Sequence, residues 1–168
     1  CIPMLPERLS NGICSLNPHL DRLTMTAEML FDQQGTMLES SFYPSVIKSD
    51  ARLTYTNVKQ VIIDGDEKAL EEDRALAPML LQMKELALIL QAMRKKRGSI
   101  DFDLPEPEII LSLTGQTEAI IRSERNLAHQ LIEEFMLAAN EAVARFVTAQ
   151  EMAFIYRVHE PPDPTRLT

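Results

Sequence analysis

Polar and apolar positions roughly alternate from Leu23 to Phe31, and apolar residues return between Met37 and Ile47, after the link Gln33-Gln34-Gly35-Thr36. A period of two marks a strand, and a glycine in a short link supplies the positive φ that a tight turn needs, so this stretch predicts a β-hairpin. A short helix follows over Leu53 to Ile62, with Asp50 as its N-cap and Asp64-Gly65 as its stop. The acidic run from Asp64 to Asp73 reads as an exposed loop or helix start. Leu76, Leu80, Met83, Leu86, Ala87, Leu90 and Met93 then recur every three or four residues up to Arg97-Gly98. That period predicts one long helix with Pro78 near its first turn and Gly98 as its C-terminal cap. A second hairpin is expected from Ile109–Leu113, the turn Thr114-Gly115-Gln116 and Ala119–Ile121. A last helix runs from about Ser123 to Gln150, and Phe154 to Val158 reads as a closing strand. Residues 1–20, with Pro3, Pro6, Gly12 and Pro18, read as extended and turn-rich. The pattern predicts a mixed α/β (α+β) fold over residues 1–168 as a single unit, with two hairpins, two long helices and one short one.

Composition narrows the class. A chain of 168 residues builds one real core but not two, and 45% apolar with 25% charged residues is a globular balance. No apolar run approaches the roughly 20 residues that span a bilayer. Pro3, Pro6, Glu7 and Arg8 break any signal-peptide core, so a cytoplasmic, membrane-free protein is expected. Two cysteines, Cys1 and Cys14, do not make a disulfide framework. The net charge of −8 makes the chain by itself a poor binder of phosphates. Cys1 in place of an initiator Met and a trailing Pro161 to Thr168 give it the look of an internal piece.

Several short motifs occur in a fixed order. Ile2-Pro3-Met4-Leu5-Pro6-Glu7 and Leu9-Ser10-Asn11-Gly12 run into Cys14-Ser15-Leu16-Asn17-Pro18, followed by Asp21-Arg22-Leu23 and Ala51-Arg52-Leu53-Thr54-Tyr55. Later come Arg97-Gly98-Ser99-Ile100-Asp101-Phe102, Leu131-Ile132-Glu133-Glu134-Phe135-Met136-Leu137-Ala138-Ala139-Asn140, and Arg157-Val158-His159-Glu160-Pro161-Pro162. Each is weak alone, but in this order the chain resembles the ribonuclease R/ribonuclease II family, and ribonuclease R more than ribonuclease II. The resemblance covers essentially the whole chain and implies an internal part of the RNB catalytic domain. It also implies a parent that degrades RNA processively from the 3′ end to nucleoside monophosphates, by magnesium-assisted hydrolysis. The family's Asp cluster, which holds the metals, and its Ser-Pro-Ile-Arg motif are not found in residues 1–168. No catalytic residue or metal ligand is therefore expected here, no magnesium is expected bound, and the piece alone should be inactive.

Two RNA-binding positions do match. Tyr55 corresponds to a family tyrosine that holds the 3′-terminal nucleotide, and Glu133 to a glutamate that clamps the same end. An aromatic ring can stack on any base, and a carboxylate can accept hydrogen bonds from ribose hydroxyls. On a helix, Leu127, Leu131, Phe135, Ala138, Ala142 and Phe146 form a core face, leaving Glu133 in a separate stripe with His129 and Asn140. Glu134 falls on the other flank, near Arg145 and Glu141.

Residue type alone gives blander readings. Glu133 could be a solvated helix side, Tyr55 a core or rim residue, and Arg94-Lys95-Lys96-Arg97 a solvated helix end rather than a phosphate patch. His129 and Glu133 at i, i+4 could ligate a metal, but no third ligand is visible. His159-Glu160 reads as structural. A non-catalytic RNB-fold module that binds RNA or a protein partner is the alternative function. A piece cut from a larger domain should also expose apolar surface and tend to self-associate.

Overall fold

The computed structural model describes residues 3–66, 75–99, 107–112, 115–122 and 125–158. Two long strands, β1 (Asp21–Phe31) and β2 (Met37–Lys48), pair antiparallel in the register Leu23↔Val46, Met25↔Pro44 and Ala27↔Phe42, with a bulge at Leu30/Phe31. The hairpin is tied at its turn by Asp32, whose carboxylate accepts hydrogen bonds from the Gln34 and Thr36 backbone N–H groups at 2.9 and 2.8 Å. Gly35 takes φ +81°, as the sequence required, and there is a second reason for glycine. A Cβ there would lie 3.1 Å from Met93 Cβ and 3.2 Å from the Ile89 carbonyl, so the turn packs flat on the long helix.

The short helix α1 (Tyr55–Lys59) runs into a π-helical turn, Gln60–Asp64, closed by Gly65 at φ +61°. Its N-cap is Thr54, not Asp50. The Thr54 hydroxyl accepts the Asn57 N–H at 3.2 Å, and with the cap at Thr54 the helix begins two residues later than the sequence suggested. Helix α2 (Ala77–Lys96) carries Pro78 in its first turn and ends before Gly98, which takes φ +101°. The second hairpin is β3 (Pro107–Leu111) with β4 (Thr117–Arg122), Ile109 facing Ile120. Helix α3 (Leu127–Ala149) completes the fold. Among the described residues there are two separate two-stranded sheets.

The core sits where α1, its π turn, α2 and α3 meet. Val61, Ile62, Ala77, Leu80, Ala87, Ala128 and Leu131 are buried there, with Leu53, Val58, Met83 and Phe135 packed round them. Lys84 donates to the Ile62 carbonyl and so ties α2 to the π turn. On the far side Phe42 of β2 meets Phe146 of α3, ring centroids 5.0 Å apart.

Three expectations need correcting. Residues 8–13 are not extended but form a π-helical turn, whose carbonyls at Leu9 and Gly12 accept the N–H groups of Cys14 and Ser15. Phe154 to Val158 is irregular rather than a strand and pairs with none of the described strands. Tyr156 instead hydrogen-bonds Thr148 at 2.9 Å and meets Phe154 edge-on. The face of α3 that is buried comprises Ala128, Leu131, Glu134, Ala142 and Val147, while Phe146 stays 42% exposed. The acidic run beyond Asp66, Ser123 and His159-Glu160 lie outside the described residues.

Candidate functional site

The N-termini of α1 and α3 meet through their caps. Thr54 makes Tyr55 the first helical residue of α1. Asn126 caps α3, its side-chain oxygen accepting the Ala128 N–H at 3.0 Å. His129 closes the reciprocal half of the box, with Nδ1 3.0 Å from Asn126 Oδ1 and 3.4 Å from the Asn126 backbone nitrogen. With both helices fixed, the Tyr55 and His129 rings stack, centroids 3.9 Å apart and planes inclined at 23°. Tyr55 remains 46% exposed and lines a groove of about 550 Å³ with Arg52, Thr54, Met79, Met83 and Ile132.

One turn along α3 from His129 lies Glu133. Its Oε2 accepts a hydrogen bond from Arg125 Nη2 at 2.8 Å, while Arg94 Nη2 stands 3.9 Å from Oε1. The side chains of Arg125 and Glu133 are 35% and 39% exposed, so this pair is open to solvent. Glu134, about 100° further round the helix, is 4% exposed. Arg94 reaches it from α2 with Nε at 3.1 and 3.2 Å and Nη2 at 2.6 Å, and gives its remaining nitrogen to Ser99 Oγ at 2.7 Å. A buried carboxylate is tolerable when it is paired and hydrogen-bonded in this way. Glu134 does share a recess with Arg145 and Glu141, the flank on which helical phase placed it, but its burial against Arg94 was not foreseen.

Glu141 has partners of its own. Arg97 grips it with two nitrogens at 3.0 and 2.6 Å, and Arg145 adds a contact at 3.2 Å. The hydrogen bond from Arg97 holds the Glu141 carboxyl below its ordinary pKa despite partial burial, and the same bond raises that of Arg97. Within the basic run 94–97, Arg94 is drawn in against Glu134 and is not a solvated helix end, whereas Arg97 stays half exposed while pairing with Glu141. Asn140 is exposed, seven residues beyond Glu133. Among the described residues no hydrogen bond joins it to Tyr55, His129 or Glu133.

The RNB domain family matches the chain over residues 1–168. This chain belongs to the RNB family. It is 48% identical to ribonuclease R 1 of Lactococcus lactis over 166 residues, covering 99% of the chain and 20% of that relative. It is 45% identical to ribonuclease R of Vibrio cholerae over 167 residues, with the same coverages. Its fold superposes on Mycoplasma genitalium ribonuclease R in complex with ribose-methylated single-stranded RNA with a TM-score of 0.85 at 34% identity, covering 98% of this chain and 25% of that one. The same enzyme in complex with double-stranded RNA gives the same score and identity. The chain thus spans about a fifth to a quarter of the length of these relatives.

Among the described residues of this RNB segment the donor set does not fit magnesium. A two-metal centre needs several carboxylate oxygens converging on one place. Among the described residues no three His, Cys, Asp or Glu side chains are so arranged, and Glu133, Glu134 and Glu141 each face arginine. His129 and Glu133 gain no third His, Cys, Asp or Glu ligand among the described residues. Among the described residues no helix is long and apolar enough to cross a membrane.

Proposed function

We propose that this chain supplies the grip on the RNA 3′ end in a cytoplasmic, processive 3′-to-5′ exoribonuclease that hydrolyses RNA to nucleoside 5′-monophosphates. In this reading the scissile chemistry depends on magnesium held by residues elsewhere in the protein, and the segment alone does not cut RNA. The observation that carries the proposal is the Tyr55–His129 stack with Glu133 one turn away. His129 covers one side of the Tyr55 ring and so stiffens it as a platform, and the ring is still 46% exposed to a base. Stacking of that kind is indifferent to base identity, which suits an enzyme that must advance over any sequence. Glu133 accepts hydrogen bonds from sugar hydroxyls, and the 2′-hydroxyl is the group that separates RNA from DNA. With a net charge of −8, attraction for the phosphate backbone must come from other parts of the protein.

The test is digestion of a 5′-labelled RNA by the full-length protein carrying Tyr55→Ala or Glu133→Ala. Each change should lengthen the final product and slow the last steps, with the loss of one stacked base weakening the grip about tenfold. Unchanged product lengths and rates would overturn both assignments. A second reading, an RNB fold that binds RNA without cleaving it, draws on the acidic charge and the missing ligand cluster. Magnesium-dependent digestion by the wild-type full-length protein excludes it.

A further inference from the structure

We propose that Arg125 is a positioning residue for Glu133, gripping one carboxylate oxygen so that the other is presented to the terminal sugar. The inference rests on the reading of Glu133 given above and adds what makes that carboxylate a directed acceptor.

The two oxygens of Glu133 differ. Oε2 takes the Arg125 hydrogen bond at 2.8 Å, whereas no hydrogen bond to Oε1 is seen among the described residues, Arg94 Nη2 standing 3.9 Å from it. Arg94 cannot swing closer, because Glu134 and Ser99 hold it through Nε, Nη1 and Nη2. A glutamate on an exposed helix flank otherwise samples several rotamers, and an acceptor that wanders binds a hydroxyl weakly. Arg125 removes that freedom. It stands one residue before the cap Asn126, and its side chain reaches along α3 to a residue eight positions on.

Fold stability gives little reason for this contact. A single hydrogen-bonded ion pair with partners 35% and 39% exposed contributes little to folding, and holding two long side chains costs rotamer entropy. The start of α3 is already secured by the Asn126–His129 box and the buried Leu131. A role in presenting Glu133 accounts for the pair; a role in holding the helix together does not.

The experiment compares Arg125→Ala, Arg125→Lys, Glu133→Ala and the double variant Arg125→Ala/Glu133→Ala in the full-length protein. The readouts are kcat and KM on short 5′-labelled RNA, end-product length and melting temperature. Arg125→Ala should lower kcat/KM about fivefold, the scale of one exposed ion pair, and lengthen the end product with the melting temperature unmoved. Arg125→Lys, which keeps the charge but not the fork, should fall between wild type and Arg125→Ala. The double variant should lengthen the end product no more than Glu133→Ala alone, because the effect of Arg125 on that readout passes through the carboxylate. Additive losses, a silent Arg125→Ala beside an impaired Glu133→Ala, or a loss that tracks a lowered melting temperature would each overturn the inference. A silent Glu133→Ala would instead overturn the reading beneath it.

Discussion

Glu133 and Glu134 are adjacent in sequence, and their surroundings differ in every respect. Glu133 keeps an oxygen facing solvent, while Glu134 is buried against Arg94 and closes the interface of α2 with α3. Removing one partner of a buried pair strands the other charge, so Glu134→Ala should destabilise the fold by about 3 kcal/mol and lower its melting temperature by roughly 5–10 °C. Replacing both Arg94 and Glu134 by leucine should restore most of that loss, since no charge is then left buried. Thermal unfolding of the two variants checks this, and a double variant as unstable as Glu134→Ala would refute it. In the sequence, motif and helical phase singled out Glu133 with His129 and Asn140, and motif alone singled out Tyr55. Glu134 stayed hidden because hydrophobic periodicity treats every charge as solvated. What betrays it is an arginine at the matching level of another helix, and that cannot be seen until the helix pairing is known.

At the level of elements, the hairpins could be read from alternation and their glycine turns, and both long helices from the period of the face each buries. Their starts were less legible. Asp50 and Thr54 are both acceptable caps by residue type, and only the geometry of the Asn57 N–H selects Thr54. The π-helical turns at 8–13 and 60–64 leave no sequence period, since a single wide turn is too short to show one. Gly35 joins two elements rather than ending one. Its positive φ is shared with Gly98, but only Gly35 has Met93 and Ile89 within 3.3 Å of an added Cβ. Gly35→Ala should therefore cost about 2–3 kcal/mol and Gly98→Ala only about 1 kcal/mol, the strain of the left-handed backbone alone. Chemical denaturation of the pair measures the difference, and equal losses would mean that the turn does not bear on α2.

Across the whole molecule, a large amount of apolar surface is left uncovered. Leu23 is 87% exposed, Met25 74% and Val46 63%, and the register of β1 with β2 puts these three on one face of the hairpin. On a soluble protein such a patch is normally covered. Residues 1–168 on their own should therefore self-associate despite the net charge of −8, and Met25→Lys with Val46→Lys should shift them toward monomer. Sedimentation at several concentrations decides it, a monomeric wild-type chain being the contrary result. The sequence foresaw exposed apolar surface in a piece of a larger domain but not its place, because strand alternation says that one face is buried without saying by what.

Two adjacent glutamates with separate duties also make α3 a ruler. Inserting or deleting one residue between its cap and Glu133 turns everything beyond by about 100°. The open acceptor and the buried anchor would then both leave their arginines, although every residue type is still present. The first two turns of this helix should thus tolerate a change of length no better than loss of the residues it positions.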